Sequence, residues 1–296
     1  MNRRRILMVI KRAWITTGIA ATIVFVAWSL IAYRPNAEAR LAAISDSVVV
    51  NVRGGGVWMF SSPRAEGGGG GAKAGLLFFP GALVDPTAYA PLARAVAAAG
   101  VPVTLVELPR RGAFGGADDP DLLNHALDLT RRSGGPRRWV VAGHSRGAVV
   151  ATNFAATYPA SLAGLVLIGT THPRDVNLAT LTAPVTKIVG TRDGIAPERK
   201  SDANRHLLPP STRWIRIEGG NHSQFGWYGF QPGDRFATIP APEQHGRVVA
   251  AILDMLRAAA DSAARPSAPA PTPRVGVSPS MGRNLPDGQM GSALPY

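Results

Sequence analysis

The 296-residue sequence contains no cysteine. That excludes a disulfide framework, a thiolate zinc site, cysteine-ligated iron–sulfur clusters and a cysteine nucleophile. Acidic residues are scarce, with 19 Asp and Glu against 32 Lys and Arg, a net charge of +13. The surplus is uneven. Arg3, Arg4, Arg5, Lys11 and Arg12 put +5 into the first thirteen residues, and the stretch from Ser262 onward carries +2, leaving +6 for everything between. That middle part has no Lys/Arg run resembling a nucleic-acid stripe, so no nucleic-acid partner is expected. Hydrophobic residues make up 46% of the chain, which permits a sizeable core and excludes global disorder.

Charge is missing altogether from Trp14 to Tyr33. These 20 residues match the ~30 Å hydrocarbon core of a bilayer when helical. Trp14, Trp28 and Tyr33 sit toward the ends, where interfacial aromatics belong. Those five basic residues precede the span, so the positive-inside rule leaves the amino terminus in the cytoplasm and the rest of the chain on the extracytoplasmic side. A cleaved signal sequence, with Ala37-Glu38-Ala39 as the cleavage site and a secreted product, is the rival reading. The expected organisation is a basic segment over 1–13, an anchor over 14–33, a folded domain over 34–261 and a Pro/Ala/Ser/Gly-rich disordered tail over 262–296.

Within the folded part, short β-branched runs alternate with helical patterns. Strands are predicted at 47–52, 57–61, 75–79, 102–108, 139–142, 164–168, 185–189 and 213–217, the first two joined as a hairpin through Gly54-Gly55-Gly56. Helices are predicted at 88–99, 121–132, 148–158, 198–208 and 243–260. Solid apolar strands such as GLLFF and GLVLI are those of strands covered on both faces. A hairpin followed by repeating β-α units predicts a mostly parallel, eight-stranded α/β sheet between helix layers, with chemistry at the carboxyl ends of the strands. The five glycines Gly67–Gly71 lead into a strand with no Gly-Lys-Ser/Thr after them, so they read as a hairpin tip rather than a phosphate cradle.

The segment WVVAGHSRGAVVATNFAATYP runs from strand through Gly143-His144-Ser145-Arg146-Gly147 into a helix. This is G-x-S-x-G in the strand–turn–helix setting of a nucleophile elbow, where glycines at 143 and 147 allow a tight turn that lifts the Ser145 hydroxyl clear of the sheet. A serine hydroxyl needs a base, and the partners are expected in the order Ser, acid, His. Asp193 follows the seventh strand in VGTRDGIAP, and His222 follows the eighth in IEGGNHSQFG. The predicted triad is therefore Ser145, Asp193 and His222. His172, after the sixth strand, is the rival histidine; His144 points the wrong way along an elbow, and His125, His206 and His245 lie in helical segments. Asp85, Glu107, Asp118 and Asp119 are the rival acids, with Asp85 and Glu107 offering ion pairs to Arg146 or Arg110.

An oxyanion hole requires two backbone N–H groups. Arg146, at the start of the helix, and Ala82, in FFPGALVDP, are the expected donors; Pro80 has no N–H to give. The expected substrate contacts are Leu83, Phe114 and Trp227, on a rim that also includes Val84, Arg110, Arg111 and Tyr228. Arg110-Arg111 is either an attractor for an anionic substrate or solvated surface charge. Only Thr170–Pro184 separates the sixth and seventh strands, too little for a helical lid, so an open site is expected.

The segments FPGALVDPTAYAPLA, GHSRGA, GTRDG and GGNHSQFGWYG together resemble the α/β-hydrolase superfamily, over about Ala43 to Ala260. Within it they are similar to a bacterial serine hydrolase group near the dienelactone-hydrolase-like branch. The resemblance implies the α/β-hydrolase fold, a Ser-His-Asp core, esterase-type activity, and no metal or organic cofactor. Two departures stand out. Pro80-Gly81 replaces the histidine–glycine pair often found at the oxyanion loop. Serine stands where dienelactone hydrolases commonly carry cysteine, so their substrate does not transfer. The expected function is a membrane-anchored serine hydrolase acting on a small-molecule ester, thioester or amide. A non-catalytic envelope binding protein on the same scaffold is the alternative. A dehalogenase would need a carboxylate at position 145, whereas a perhydrolase would use the same triad.

Overall fold

The computed structural model describes residues 3–63, 72–113 and 115–264. Phe114, the Gly67–Gly71 run and the tail from residue 265 lie outside the described residues.

The chain opens with helix α1 (Arg3–Ala32), whose stretch Arg3–Trp28 is long and apolar enough to cross a membrane and is wholly unburied by the rest of the protein. A short helix α2 (Ala37–Ala42) follows, capped by the Asn36 side chain accepting from Ala39 N at 2.9 Å. Between the two, residues 32–36 are stitched to the body of the domain. Gly229 N donates to Ala32 O at 2.7 Å, Asp85 N to Tyr33 O at 3.2 Å, and Asn36 N to Trp227 O at 3.0 Å. Tyr33 is buried in the core and packs edge-on against Tyr228, with ring centroids 5.9 Å apart.

Eight strands form one sheet in the order β1-β2-β4-β3-β5-β6-β7-β8. They are β1 (Val50–Gly54), β2 (Val57–Ser61), β3 (Ala74–Phe79), β4 (Val103–Val106), β5 (Arg138–His144), β6 (Gly164–Ile168), β7 (Val185–Gly190) and β8 (Arg213–Ile217). β2 is antiparallel to both β1 and β4, and every other pairing is parallel. The β1–β2 hairpin turns through Gly55 and Gly56, with φ of 59° and 74°, the positive pair that a two-residue turn matched to strand twist requires. β1 starts at Val50 rather than at the expected residue 47. The cause is local: the Asp46 carboxylate accepts from Val48 N and Val49 N and holds those residues in a turn.

The remaining helices are α3 (Ala90–Ala98), α4 (Pro120–Arg131), α5 (Arg146–Thr157), α6 (Glu198–Ala203) and α7 (Ala241–Ala264). Alternate residues of β3 supply the two core layers. Leu76 and Phe78 pack with Val96 of α3 and Val248, Ile252 and Met255 of α7. Leu77 and Phe79 pack with Leu122 and Ala126 of α4 and Val150 and Phe154 of α5. The 248, 252, 255, 256, 259 spacing on α7 is the apolar stripe of a helix laid on a sheet. The helix expected over 198–208 breaks at Asn204, whose side-chain amide leaves the helix to donate to Thr171 O at 2.8 Å. Residues 169–184 contain neither helix nor strand, so no lid domain covers the sheet at this point.

β4 and β5 flank β3 on opposite sides, so the chain reverses its direction of travel across the sheet there. A switch point of this kind opens a crevice beyond the carboxyl ends of β3 and β5. Phe79 pairs with Gly143 at that edge, bringing the loop after β3 against the turn after β5.

The stitched 32–36 segment predicts that its removal weakens the fold. Deleting residues 1–36 should lower Tm more than deleting residues 1–28, as thermal unfolding of the two soluble forms will show. Equal Tm values would mean that Tyr33 and its hydrogen bonds contribute nothing.

Candidate active site

Ser145 stands between β5 and α5 with φ 53° and ψ −118°, a conformation that costs about 1–3 kcal/mol for a residue with a side chain. Its neighbours show why the turn is so tight. A Cβ at position 143 would lie 2.3 Å from the backbone of Gly147, and one at position 147 would lie 2.0 Å from the carbonyl oxygen of Phe79. The two glycines let α5 approach both β5 and the end of β3. The Ser145 N–H is fixed to Ile168 O of β6 at 2.9 Å, so the turn is tied to the next strand as well.

Asp193 follows β7 and is fully buried. One of its oxygens accepts from Ile195 N at 2.9 Å and Ala196 N at 2.6 Å; the other meets His222 Nδ1 at 2.9 Å. A carboxylate in this setting accepts, so Nδ1 carries the proton and Nε2 presents a lone pair. Nε2 is buried and makes no hydrogen bond to any described residue, the Ser145 hydroxyl included. Ser145 and His222 nevertheless line one cavity of about 180 Å³, together with Arg146, Val149, Gly169, Thr170, Thr171, His172, Arg174, Ile195 and Ala196.

The His222 loop is held by a second buried carboxylate that the sequence reading did not single out. Asp234 Oδ1 accepts from Gly194 N at 3.0 Å and His222 N at 3.3 Å, and Oδ2 accepts from Ser223 N at 2.8 Å and Ser223 Oγ at 2.7 Å. It thereby joins the loop carrying Asp193 to the loop carrying His222. On the other flank, the buried Gln244 of α7 exchanges two hydrogen bonds with the Asn221 backbone, at 3.0 and 2.7 Å.

His144 is buried behind the site, its ring 4.5 Å from that of His222. Tyr89 Oη accepts from Gly81 N at 2.9 Å and shares a hydrogen bond with His144 Nδ1 at 2.8 Å. Burial, and then the neighbouring His222, hold the His144 pKa well below the ordinary histidine value, so it is a neutral plate against His222. The Gly81–Tyr89 bond also leaves the loop after β3 in a defined shape. Gly81 N is committed to Tyr89 and Leu83 N to Arg111 O at 2.7 Å, while Ala82 N between them has no partner among the described residues. Arg146 N is the first N–H of α5.

Two of the expected substrate contacts lie away from the cavity, and the third, Phe114, is outside the described residues. Leu83 adopts φ 64° on the loop surface, and Trp227 packs edge-on against His245 at 5.5 Å; neither is a wall of the cavity. Val84 and Tyr228 are core residues. Asp85 pairs with Arg111 at 3.1 Å rather than with Arg146 or Arg110, and Arg146 pairs with Asp118. The loop after β6, from Thr170 to Arg174, forms the cavity wall instead, with the rival histidine His172 in it. Among the described residues no group of three or more His, Asp or Glu side chains is disposed to hold a metal ion.

The strand–elbow–helix turn, the buried His–Asp pair after β7 and β8 and the mixed sheet are accompanied by a direct match. The sequence profile of the alpha/beta hydrolase family matches residues 75–246, more than half of the chain. The chain belongs to the alpha/beta hydrolase family. Among solved structures, this hydrolase is similar to one of the metagenome-derived lipolytic enzymes LipS and LipT, at 14% identity over 64% of this chain and 95% of that one, with a TM-score of 0.50. It is also similar to a predicted CIB-like hydrolase from Thermoplasma acidophilum, at 15% identity over 70% and 97% of the two chains, TM-score 0.50. At these identities the likeness is one of fold. No curated protein matches the sequence.

The Asp234 junction yields a stability prediction. Asp234→Asn turns an acceptor into a donor facing the Ser223 N–H and should destabilise the hydrolase by about 2 kcal/mol in urea unfolding. A change below about 0.5 kcal/mol would show that the loop is held by other contacts.

Proposed function

We propose that the chain is a membrane-anchored serine hydrolase that cleaves small carboxylic esters, thioesters or amides through an acyl-enzyme intermediate. The observation that carries this reading is the buried Asp193–His222 pair, whose free Nε2 belongs to the same cavity as Ser145 on its strained turn. In this mechanism His222 Nε2 takes the Ser145 proton as Oγ attacks the scissile carbonyl, and returns it to the leaving group. Asp193 keeps the proton on Nδ1 in the resting enzyme and stabilises the imidazolium that forms. Water then repeats the sequence on the acyl-enzyme, releasing the acid. The Ser–His hydrogen bond, unmade in the resting geometry, tightens when substrate fills the cavity, as catalytic contacts commonly do. The N–H groups of Ala82 and Arg146 receive the oxyanion.

The fold's want of a lid domain over residues 169–184 and the modest cavity favour short acyl groups over long lipid chains. Retention of α1 as an anchor is favoured by the 32–36 segment: cleavage after Ala39 would remove Tyr33 from the core and strip Gly229 and Asp85 of hydrogen-bond acceptors. The basic residues before the span orient the hydrolase domain to the extracytoplasmic side.

Two measurements test the reading. A fluorophosphonate probe should label the full-length protein and fail to label Ser145→Ala. Asp193→Asn should stay folded and lose about 10⁴ in kcat through the wrong imidazole tautomer. A folded protein that resists the probe would instead support a binding protein on a hydrolase scaffold.

A further inference from the structure

The cavity beside Ser145 is walled by basic groups and by no acid. Of its eleven lining residues two are arginines, two are histidines (His172 and the His222 of the proposed triad), and none is Asp or Glu. Arg146 is already neutralised by Asp118. Arg174 is not: among the described residues it has no carboxylate partner, and its Nε and Nη2 both donate to the Thr171 hydroxyl. That contact holds the guanidinium without discharging it and leaves the rest of its donor fork unused.

Behind this wall lies Lys187 of β7, fully buried, its amino group donating to His172 O and, among the described residues, paired with no carboxylate. Burial, and then the charge of Arg174, draw the Lys187 pKa down to about 7. His172 is pulled to about 4 by burial and then by Arg174, Lys187 and Arg146, against a smaller opposing effect of Asp175. Arg174, Lys187 and Arg146 thus all act on His172, but of the three only Arg174 both lines the cavity and lacks a carboxylate partner among the described residues. Asp175, the acid nearest His172 in sequence, is not part of the cavity lining. An unpaired positive wall next to a nucleophile attracts and orients an anion.

Resting on the serine hydrolase reading, we propose that this cavity selects esters whose acyl part ends in a carboxylate, with Arg174 as the residue that binds it. The planar guanidinium fork matches a carboxylate in two-point contact, as an ammonium would not. The size agrees. The cavity, about 180 Å³ and open to solvent, has room for a short acyl chain that ends in a carboxylate.

The test compares the mono-p-nitrophenyl ester of glutaric acid with the same compound capped as its methyl ester, using full-length protein in detergent at low salt. The anionic ester should show a kcat/KM about tenfold higher, expressed mainly in KM, and the preference should fall with added salt. In Arg174→Gln the ratio should collapse to about one, while Arg174→Lys should keep part of it. The exposed position of Arg174 makes folding of both variants straightforward to verify by circular dichroism. A wild-type ratio near one overturns the proposal, as does a ratio that survives in Arg174→Gln. Failure to hydrolyse either ester, with no fluorophosphonate labelling, removes the hydrolase reading and this proposal with it. Labelling with turnover of the neutral ester alone removes only the anionic selectivity.

Discussion

The close approach of three backbones at the carboxyl edge of the sheet is the constraint on which everything else depends. β5, the first turn of α5 and the end of β3 come so near one another that no Cβ fits at positions 143 or 147. Ser145, caught between them, is forced to a positive φ. The strain of a kcal/mol or more survives because the surroundings fix both sides of the turn. Ahead of it, β5 is paired along its length with β3 and β6; behind it, α5 buries Val150 and Phe154 in the core. Relaxing the turn would tear the apolar contacts of α5 from the sheet, where each fully buried Val or Phe side chain contributes about 1.5–3 kcal/mol. The fold therefore holds one hydroxyl in an unfavourable but fixed position, which is what a reactive group in a preorganised site requires.

The second requirement is electrostatic. Burying a carboxylate completely is costly unless its lone pairs are occupied and a partner stands beside it. Asp193 meets both conditions, with two backbone N–H groups on one oxygen and the His222 ring on the other. Asp234 repeats the solution one layer out, accepting from Gly194, His222 and Ser223 and joining the two loops into one unit. The outcome is a histidine whose tautomer and position are set from behind, by Asp193, by the His144 plate and by the Gln244 clamp on Asn221, leaving Nε2 as its one uncommitted polar atom. A neutral His144 suits that place. A second cation 4.5 Å from His222 would oppose the imidazolium that the proposed chemistry generates.

Features set by local sequence were legible in advance. The runs at 57–61, 164–168 and 213–217 became strands with the expected limits; at 164–168 continuous burial on both faces leaves a plain apolar signature, and at 57–61 and 213–217 aromatic and β-branched residues mark the strand. The glycine pair around Ser145 declared the elbow for an equally local reason. Asp193 and His222, far apart in sequence, were legible because strand ends on one edge of a parallel sheet gather their loops. What escaped was set by contacts between loops. Asp234 lies in an irregular stretch, Phe230–Pro240, with no period to mark it, and its role exists only once residues 194, 222 and 223 surround it. Tyr89 reads as an ordinary aromatic in a helical pattern until its hydroxyl is found between Gly81 and His144. The cavity wall was sought among the aromatic residues near His222, whereas Trp227 and Tyr228 turn inward to pack on His245 and Tyr33.

That last displacement has a physical reason, and it links the two ends of the domain. The backbone from Trp227 to Gly229 is occupied on one side by residues 32–36, through the bonds to Ala32 and Asn36. Asp85, on the loop after β3, is bonded to Tyr33 in the same way. Both loops that frame the site, one carrying His222 and the other the Ala82 N–H, are thus tied to the residues where the apolar helix ends. An apolar helix joined to its domain by a free linker would leave such loops indifferent to it. Here four backbone and ring contacts join the end of the helix to the loops behind the site, so the shape of the loops depends on it. Tyr228, placed on the rim from sequence, is consumed in making that joint, Trp227 packs its ring on His245, and the cavity wall is formed by the loop after β6.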